Sequence, residues 1–111
     1  TVEKNCVLIA AGVCMDTVTR NGTRDGKVLD LTPKEYALLE YFMRNKIRVL
    51  TREQIIEHIW NFDFESDSNI IDVYIRFLRR KVDKDFPTKL IHTVWGTGYT
   101  LKTTPAGSYE P

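Results

Sequence analysis

The hydrophobic positions of this chain change period twice. Residues 6–31 hold short apolar runs, Cys6 to Ala10, Val13 to Met15, Gly22 to Arg24 and Val28 to Leu31, broken at Gly12, Asn21-Gly22 and Asp25-Gly26. Runs of this length between turn residues predict strands. Asp25-Gly26 suits a two-residue hairpin turn, because both central positions of such a turn need positive φ. Four short antiparallel strands make a sheet with one face that needs a cover.

The period then becomes helical. Thr32-Pro33-Lys34-Glu35 reads as an N-cap, a proline at the first helical position and a capping-box glutamate. Leu38, Leu39, Phe42 and Met43 follow at helical spacing, which predicts a helix over Thr32 to Asn45. Val49-Leu50 suits one short strand. Thr51-Arg52-Glu53-Gln54 repeats the capping signature, and Ile55, Ile56, Ile59 and Trp60 complete a second helix ending near Asn61. After an acidic, aromatic loop over Phe62 to Ser68, a third helix spans Asn69 to Lys81, capped by Ser68 or Asp67. Leu90 to Val94 and Tyr99 to Lys102 are then strands flanking Trp95-Gly96-Thr97-Gly98, a C-terminal hairpin.

The third helix is the informative one. At about 100° per residue, Ile71, Ile75, Leu78 and Val82 fall in one narrow arc that must face the core. The opposite side presents Asn69, Val73, Arg76, Phe77 and Arg80, with Tyr74 and Arg79 on its flanks. A merely solvated face rarely exposes Val73 and Phe77 between arginines, whereas a helix in the major groove uses both types. Arginine takes phosphate or the guanine O6/N7 edge, Asn69 pairs with an adenine edge, and Val73 or Phe77 touches thymine methyl groups. Three helices followed by a Gly-x-Gly hairpin form a helix-turn-helix with a wing. Trp95 at the wing tip either packs back on the domain or touches DNA.

Charge at first argues against this reading. The 111 residues carry 16 Lys+Arg and 15 Asp+Glu, a net charge of +1, whereas nucleic-acid-binding domains often have a high pI. The distribution is uneven, however. Glu53, Glu57, Asp63, Glu65, Asp67 and Asp72 form an acidic block without a Lys or Arg between Glu53 and Asp72; Arg76, Arg79, Arg80, Lys81 and Lys84 form a basic block directly after it. Two opposed surfaces fit a protein with two partners.

Little supports an enzyme. His58 and His92 have no ligand spacing with each other or with Cys6 and Cys14. Asp63, Glu65, Asp67 and Asn69 alternate like half of a calcium-binding loop, but Ser68 takes its glycine position and Tyr74 that of its bidentate glutamate. No cofactor and no metal are expected. Cys6 and Cys14 read as small buried hydrophobes rather than a disulfide. The apolar run from Cys6 to Met15 is about half a membrane span, and no basic segment precedes it, so the expectation is no membrane partner and a cytoplasmic location.

Thr32-Pro33-Lys34-Glu35-Tyr36-Ala37-Leu38-Leu39, Leu50-Thr51-Arg52-Glu53, Ile59-Trp60, Ile71 to Lys81 and Thr93-Val94-Trp95-Gly96-Thr97-Gly98-Tyr99 together resemble the OmpR/PhoB-type effector domain of bacterial two-component response regulators. The resemblance covers residues 6–102. It implies an α+β winged helix-turn-helix with an N-terminal four-stranded antiparallel sheet, three helices and a C-terminal hairpin wing. Residues 1–5 would then be a linker remnant and 103–111 a flexible tail.

The function implied is sequence-specific binding of double-stranded DNA as a transcriptional output domain. The third helix enters the major groove, and the wing meets the adjacent backbone or minor groove. Carried over by position, Val73, Tyr74, Arg76, Phe77, Arg79 and Arg80 are DNA-facing, and Trp95, Thr97 and Tyr99 belong to the wing. Phe77 departs from the family, which often has an arginine there, and this suggests apolar readout or partial packing. Trp95 stands where some members have a wing arginine. In some members the loop between helices two and three touches RNA polymerase; here Glu57, Asp63, Glu65 and Asp67 either do so or keep negative charge off DNA.

The resemblance also implies a receiver domain in the full-length protein. An excised effector module is the expected reading over a stand-alone regulator. The isolated domain should be monomeric or weakly self-associating, and dimeric on tandem half-sites. The competing reading is a winged-helix adaptor that docks protein and not DNA through Phe62, Phe64, Phe77 and Trp95.

Overall fold

The computed structural model describes residues 6–10, 12–60, 69–86 and 88–104. Strands β1 (Cys6–Ala10), β2 (Val13–Asp16), β3 (Asn21–Arg24) and β4 (Lys27–Val28) form an antiparallel meander in sequence order. Then come α1 (Pro33–Arg44), β5 (Leu50–Thr51), α2 (Arg52–Ile59), α3 (Asn69–Val82), β6 (Lys89–Val94) and β7 (Gly98–Thr104). The wing is larger than a hairpin, because β5 adds to it as a third strand in the order β5-β7-β6.

Local chemistry sets most boundaries. The Thr32 hydroxyl accepts from the Glu35 amide while the Glu35 carboxylate accepts from the Thr32 amide, and Thr51 and Gln54 repeat this box at α2. Asp25 and Gly26 both have positive φ, 52° and 86°, as the tight hairpin between β3 and β4 requires. Asn21-Gly22, in contrast, is not a turn. The chain reverses earlier, over residues 17–20, where the Asp16 carboxylate accepts from the amides of Val18 and Thr19. Gly22 is thereby left inside β3, where a Cβ would sit 3.5 Å from Leu31 and 3.6 Å from Leu29. The fourth strand is also shorter than predicted, since Leu29 turns from β4 into the core.

Cys14 does not behave as a core hydrophobe. Val13 and Met15 point inward and are fully buried, so the pleat puts Cys14 on the other face of the sheet, where it is disulfide-bonded. Cys6, on the paired strand, is the only other cysteine of the sequence.

The core is built around α1. Tyr36, Leu38, Leu39, Phe42 and Met43 pack with Ile55, Ile56 and Ile59 of α2, Ile71, Ile75, Leu78 and Val82 of α3, and Leu90, Ile91 and Leu101 of the wing. Each such aliphatic or aromatic side chain contributes about 1.5–3 kcal/mol by burial.

Polar ties fix the orientation of the layers. The Tyr36 hydroxyl donates to the Asp16 carbonyl at 3.3 Å, joining the first sheet to α1. Arg24 of β3 is 2% exposed; it pairs with Asp83 at 3.1 Å and donates to the carbonyls of Val82 and Thr88. Asp83 in turn accepts from the amides of Leu90 and Ile91. The first sheet thus holds both the end of α3 and the root of the wing. Lys81 reaches back to Glu35 at 2.6 Å, which links α3 to the cap of α1. Among the described residues, no helix is long and apolar enough to cross a membrane.

Candidate nucleic-acid interface

With Ile71, Ile75, Leu78 and Val82 buried, the helical period fixes what α3 offers outward. Asn69, Arg76 and Arg80 are exposed, and Val73 and Phe77 beside them are half-buried. All five lie on one face, as predicted.

One flank of this face meets the wing. The Asp72 carboxylate accepts two hydrogen bonds from the Arg52 guanidinium, at 2.7 and 3.0 Å, and a third from the Tyr99 hydroxyl. Arg79 donates to the Ile91 carbonyl at 3.2 Å and the Thr93 hydroxyl at 2.7 Å, with its guanidinium 5.8 Å from the centre of the Tyr99 ring. Tyr99 is 6% exposed. Arg79 and Tyr99 therefore set the spacing between helix and wing. Asp72, one turn before Arg76, pairs with Arg52 and not with Arg79 or Lys81.

These contacts border a cleft of about 610 Å³ between α3 and the wing, lined by Arg52, Arg76, Arg79, Trp95 and Thr97 among others. Trp95 is 76% exposed, so its ring does not pack back on the domain. Gly96, at φ 82°, supplies the left-handed residue that the tight turn needs. Around the end of α3 lies a second depression of about 340 Å³, lined by Arg76, Arg79, Arg80, Asp83, Lys84 and Lys89. Five of these six side chains are cationic, which favours a polyanion.

The other flank is aromatic. Trp60 meets Tyr74 edge-on at 5.2 Å, and Tyr74 meets Phe77 edge-on at 5.7 Å. Lys34 stands 5.6 Å above the Trp60 ring and Arg80 stands 5.8 Å above Phe77, closing the row with a cation at each end.

The DNA-facing set read from the sequence left out Arg52, Lys84 and Lys89. Lys84 stood in the basic block, and one further turn of the α3 arc carries it onto the outward face. Arg52 was not legible, because its partner lies 20 residues away. Of the acidic block, Glu57 is exposed on α2, while Asp63, Glu65 and Asp67 lie outside the described residues, as do the aromatic residues Phe62 and Phe64, the Ser68 or Asp67 cap, and segments 1–5 and 105–111; the first two residues of the expected tail 103–111 instead extend β7 to Thr104. The histidines take structural places: His58 stacks on Tyr41 at 3.9 Å, and buried His92 lies 3.1 Å from the carbonyls of Lys89 and Lys102.

The Arg52 guanidinium holds the Asp72 carboxyl below the ordinary aspartate range; partial burial opposes this and the Tyr99 hydroxyl reinforces it. Burial, then the bond to Asp72, raises the Tyr99 phenol. A carboxyl whose pKa is lower in the folded than in the unfolded chain adds stability above its unfolded value and loses it as pH falls through its folded one. Stability should therefore decline below about pH 4. Asp72→Asn should flatten that decline in acid denaturation followed by circular dichroism, and an unchanged acid limb would remove Asp72 from the account. The effect should be modest, because both partners are partly exposed and solvent screens them.

This arrangement has known counterparts. Residues 26–101 match the family described as "Transcriptional regulatory protein, C terminal". Response regulator MprA of Mycobacterium avium is 48% identical over 91 residues, which are 82% of this chain and 40% of that protein. The chain thus spans about 40% of the length of the curated relatives it matches. Among solved structures, a chain from a streptococcal family of redox sensors evolved from two-component response regulators superposes with a TM-score of 0.79 at 35% identity, covering 94% of this chain and 44% of that one. The DNA-binding domain of CpxR from E. coli superposes with a TM-score of 0.76 at 25% identity, over 85% of this chain and 93% of that one. With the fold, the motifs and these likenesses in agreement, the chain belongs to the family of C-terminal domains of transcriptional regulatory proteins.

Proposed function

We propose that this chain is the DNA-binding output domain of a cytoplasmic two-component response regulator. The observation that carries the proposal is the outward face of α3, where Arg76 and Arg80 stand exposed beside half-buried Val73 and Phe77 and run into a depression lined by Lys84 and Lys89. An α-helix fits the major groove of B-form DNA, and this set of side chains suits base edges flanked by phosphates. Asn69, Val73, Arg76, Phe77 and Arg80 take the groove, with Tyr74 bracing the row. Trp95 and Thr97 take the adjacent backbone or minor groove. Arg79 and Tyr99 act by holding the wing at its distance from the helix.

One small module makes limited contact, so two copies bind tandem half-sites, and a receiver domain in the full-length protein raises their local concentration. Glu57, with Asp63, Glu65 and Asp67, forms the surface for RNA polymerase. The role is binding and not catalysis.

Titration against selected duplex DNA at several salt concentrations tests this reading. If roughly four to six phosphates are neutralised, log affinity should fall with log salt with a slope of about −4 to −5. Arg76→Ala should weaken specific binding by about 1–3 kcal/mol. Absent or salt-insensitive binding would exclude DNA as the partner and favour a protein-docking adaptor.

A further inference from the structure

We propose that Phe77 is a specificity-determining residue that reads the C5-methyl group of a thymine in the major groove. The inference rests on the DNA-binding reading of α3 and goes beyond it by naming a base. Phe77 lies on the outward face of α3 one turn after Val73, so that two half-buried apolar side chains adjoin along the axis, with Arg76 and Arg80 along one side and Tyr74 on the other. The pair itself offers a base edge no donor or acceptor. Thymine alone presents a methyl group to such a surface, with its O4 acceptor beside it within the province of Arg80, whereas guanine, adenine and cytosine present no methyl there.

The ring is also held in place before anything binds. Tyr74 meets it edge-on at 5.7 Å with an interplanar angle of 70°, and Trp60 braces Tyr74 at 5.2 Å and 68°. The Arg80 guanidinium stands 5.8 Å above the Phe77 ring. A side chain gripped in this way loses little rotamer freedom on contact, so a single methyl group is enough to register. The same stacking places the Arg80 charge beside the methyl contact, which makes Phe77 and Arg80 one reading unit.

The test first removes single methyl groups from the DNA and then changes Phe77 in the protein. Duplexes selected by the wild-type domain are remade with deoxyuridine in place of each thymine in turn, which removes only the methyl group. One position per half-site should lose affinity by about fourfold, the worth of burying one methyl. Phe77→Ala should bind the thymine and uracil versions of that position equally, and Phe77→Arg should lose the same sensitivity and shift selection there toward guanine. Because Phe77 is only half-buried, thermal melts of both variants should stay near that of the wild type. Wild-type binding that tolerates uracil at every position, or a uracil effect that persists in Phe77→Ala, would overturn the assignment while leaving DNA binding standing. Failure of the wild-type domain to select any duplex would overturn the DNA reading and this assignment with it.

Discussion

Replacing Arg24 with methionine is expected to cost the fold about 3–5 kcal/mol, the usual penalty for breaking a buried ion pair by removing one partner. The stem of the side chain is kept, so packing is largely conserved and the charge is what is lost. Asp83 would be left buried at 4% exposure, still accepting from the amides of Leu90 and Ile91 but without its guanidinium at 3.1 Å. The carbonyls of Val82 and Thr88 would lose their donor as well, and Phe86, 4.3 Å from the guanidinium, its cation. Lys27→Met supplies the contrast. Lys27 pairs with Asp85 at 2.9 Å, but both side chains are 59% exposed, and a pair of that kind is worth about 0–1 kcal/mol. Urea unfolding of the two variants should separate them clearly; equal midpoints would show that the buried pair does not hold the sheet to α3.

Gly98→Ala is the second large effect. A Cβ there would lie 2.0 Å from the Leu50 carbonyl oxygen and 2.9 Å from the Thr51 Cα. Both are backbone atoms of β5, held between the wing and the N-cap of α2, with little freedom to give way. Overpacking costs typically about 1–3 kcal/mol, and a clash with backbone belongs at the upper end. Gly96→Ala is the control, because nothing lies within 4 Å of its Cβ and only the left-handed conformation is penalised, by about 1–2 kcal/mol. Amide exchange should show the pairing of Leu50 with Tyr99 and of Thr51 with Gly98 lost in Gly98→Ala and kept in Gly96→Ala. Retained protection in both would mean that β5 moves aside at small cost.

The two glycines show where sequence reasoning reaches and where it stops. Gly-x-Gly announces a tight hairpin, and Gly96 serves it with positive φ. Gly98 serves a neighbour about 47 residues earlier in the chain, which no local pattern records. The same division runs through the molecule. Both capping boxes, the core stripe of α3 and its outward arginines were legible, because each depends on side chains within a few residues of one another. The short strand at Leu50 was legible, but its pairing with β7, the Arg52–Asp72–Tyr99 contacts and the turn of Arg79 toward β6 were not, because each joins segments that meet only after folding. Cys14 failed for a different reason: its apolar neighbours suggested burial, but the two-residue pleat puts it on the face opposite Val13 and Met15.

The tether from β3 also bears on what counts as the smallest complete unit. The family match begins at residue 26, two positions after Arg24, and takes in all three helices, β6 and the first half of β7. A fragment cut at that point would keep every side chain proposed above to face DNA and lose the cation that closes the end of α3. The recognition surface and the domain that can sustain it are therefore of unequal length, and the autonomous module has to begin upstream of the segment by which its kinship is recognised.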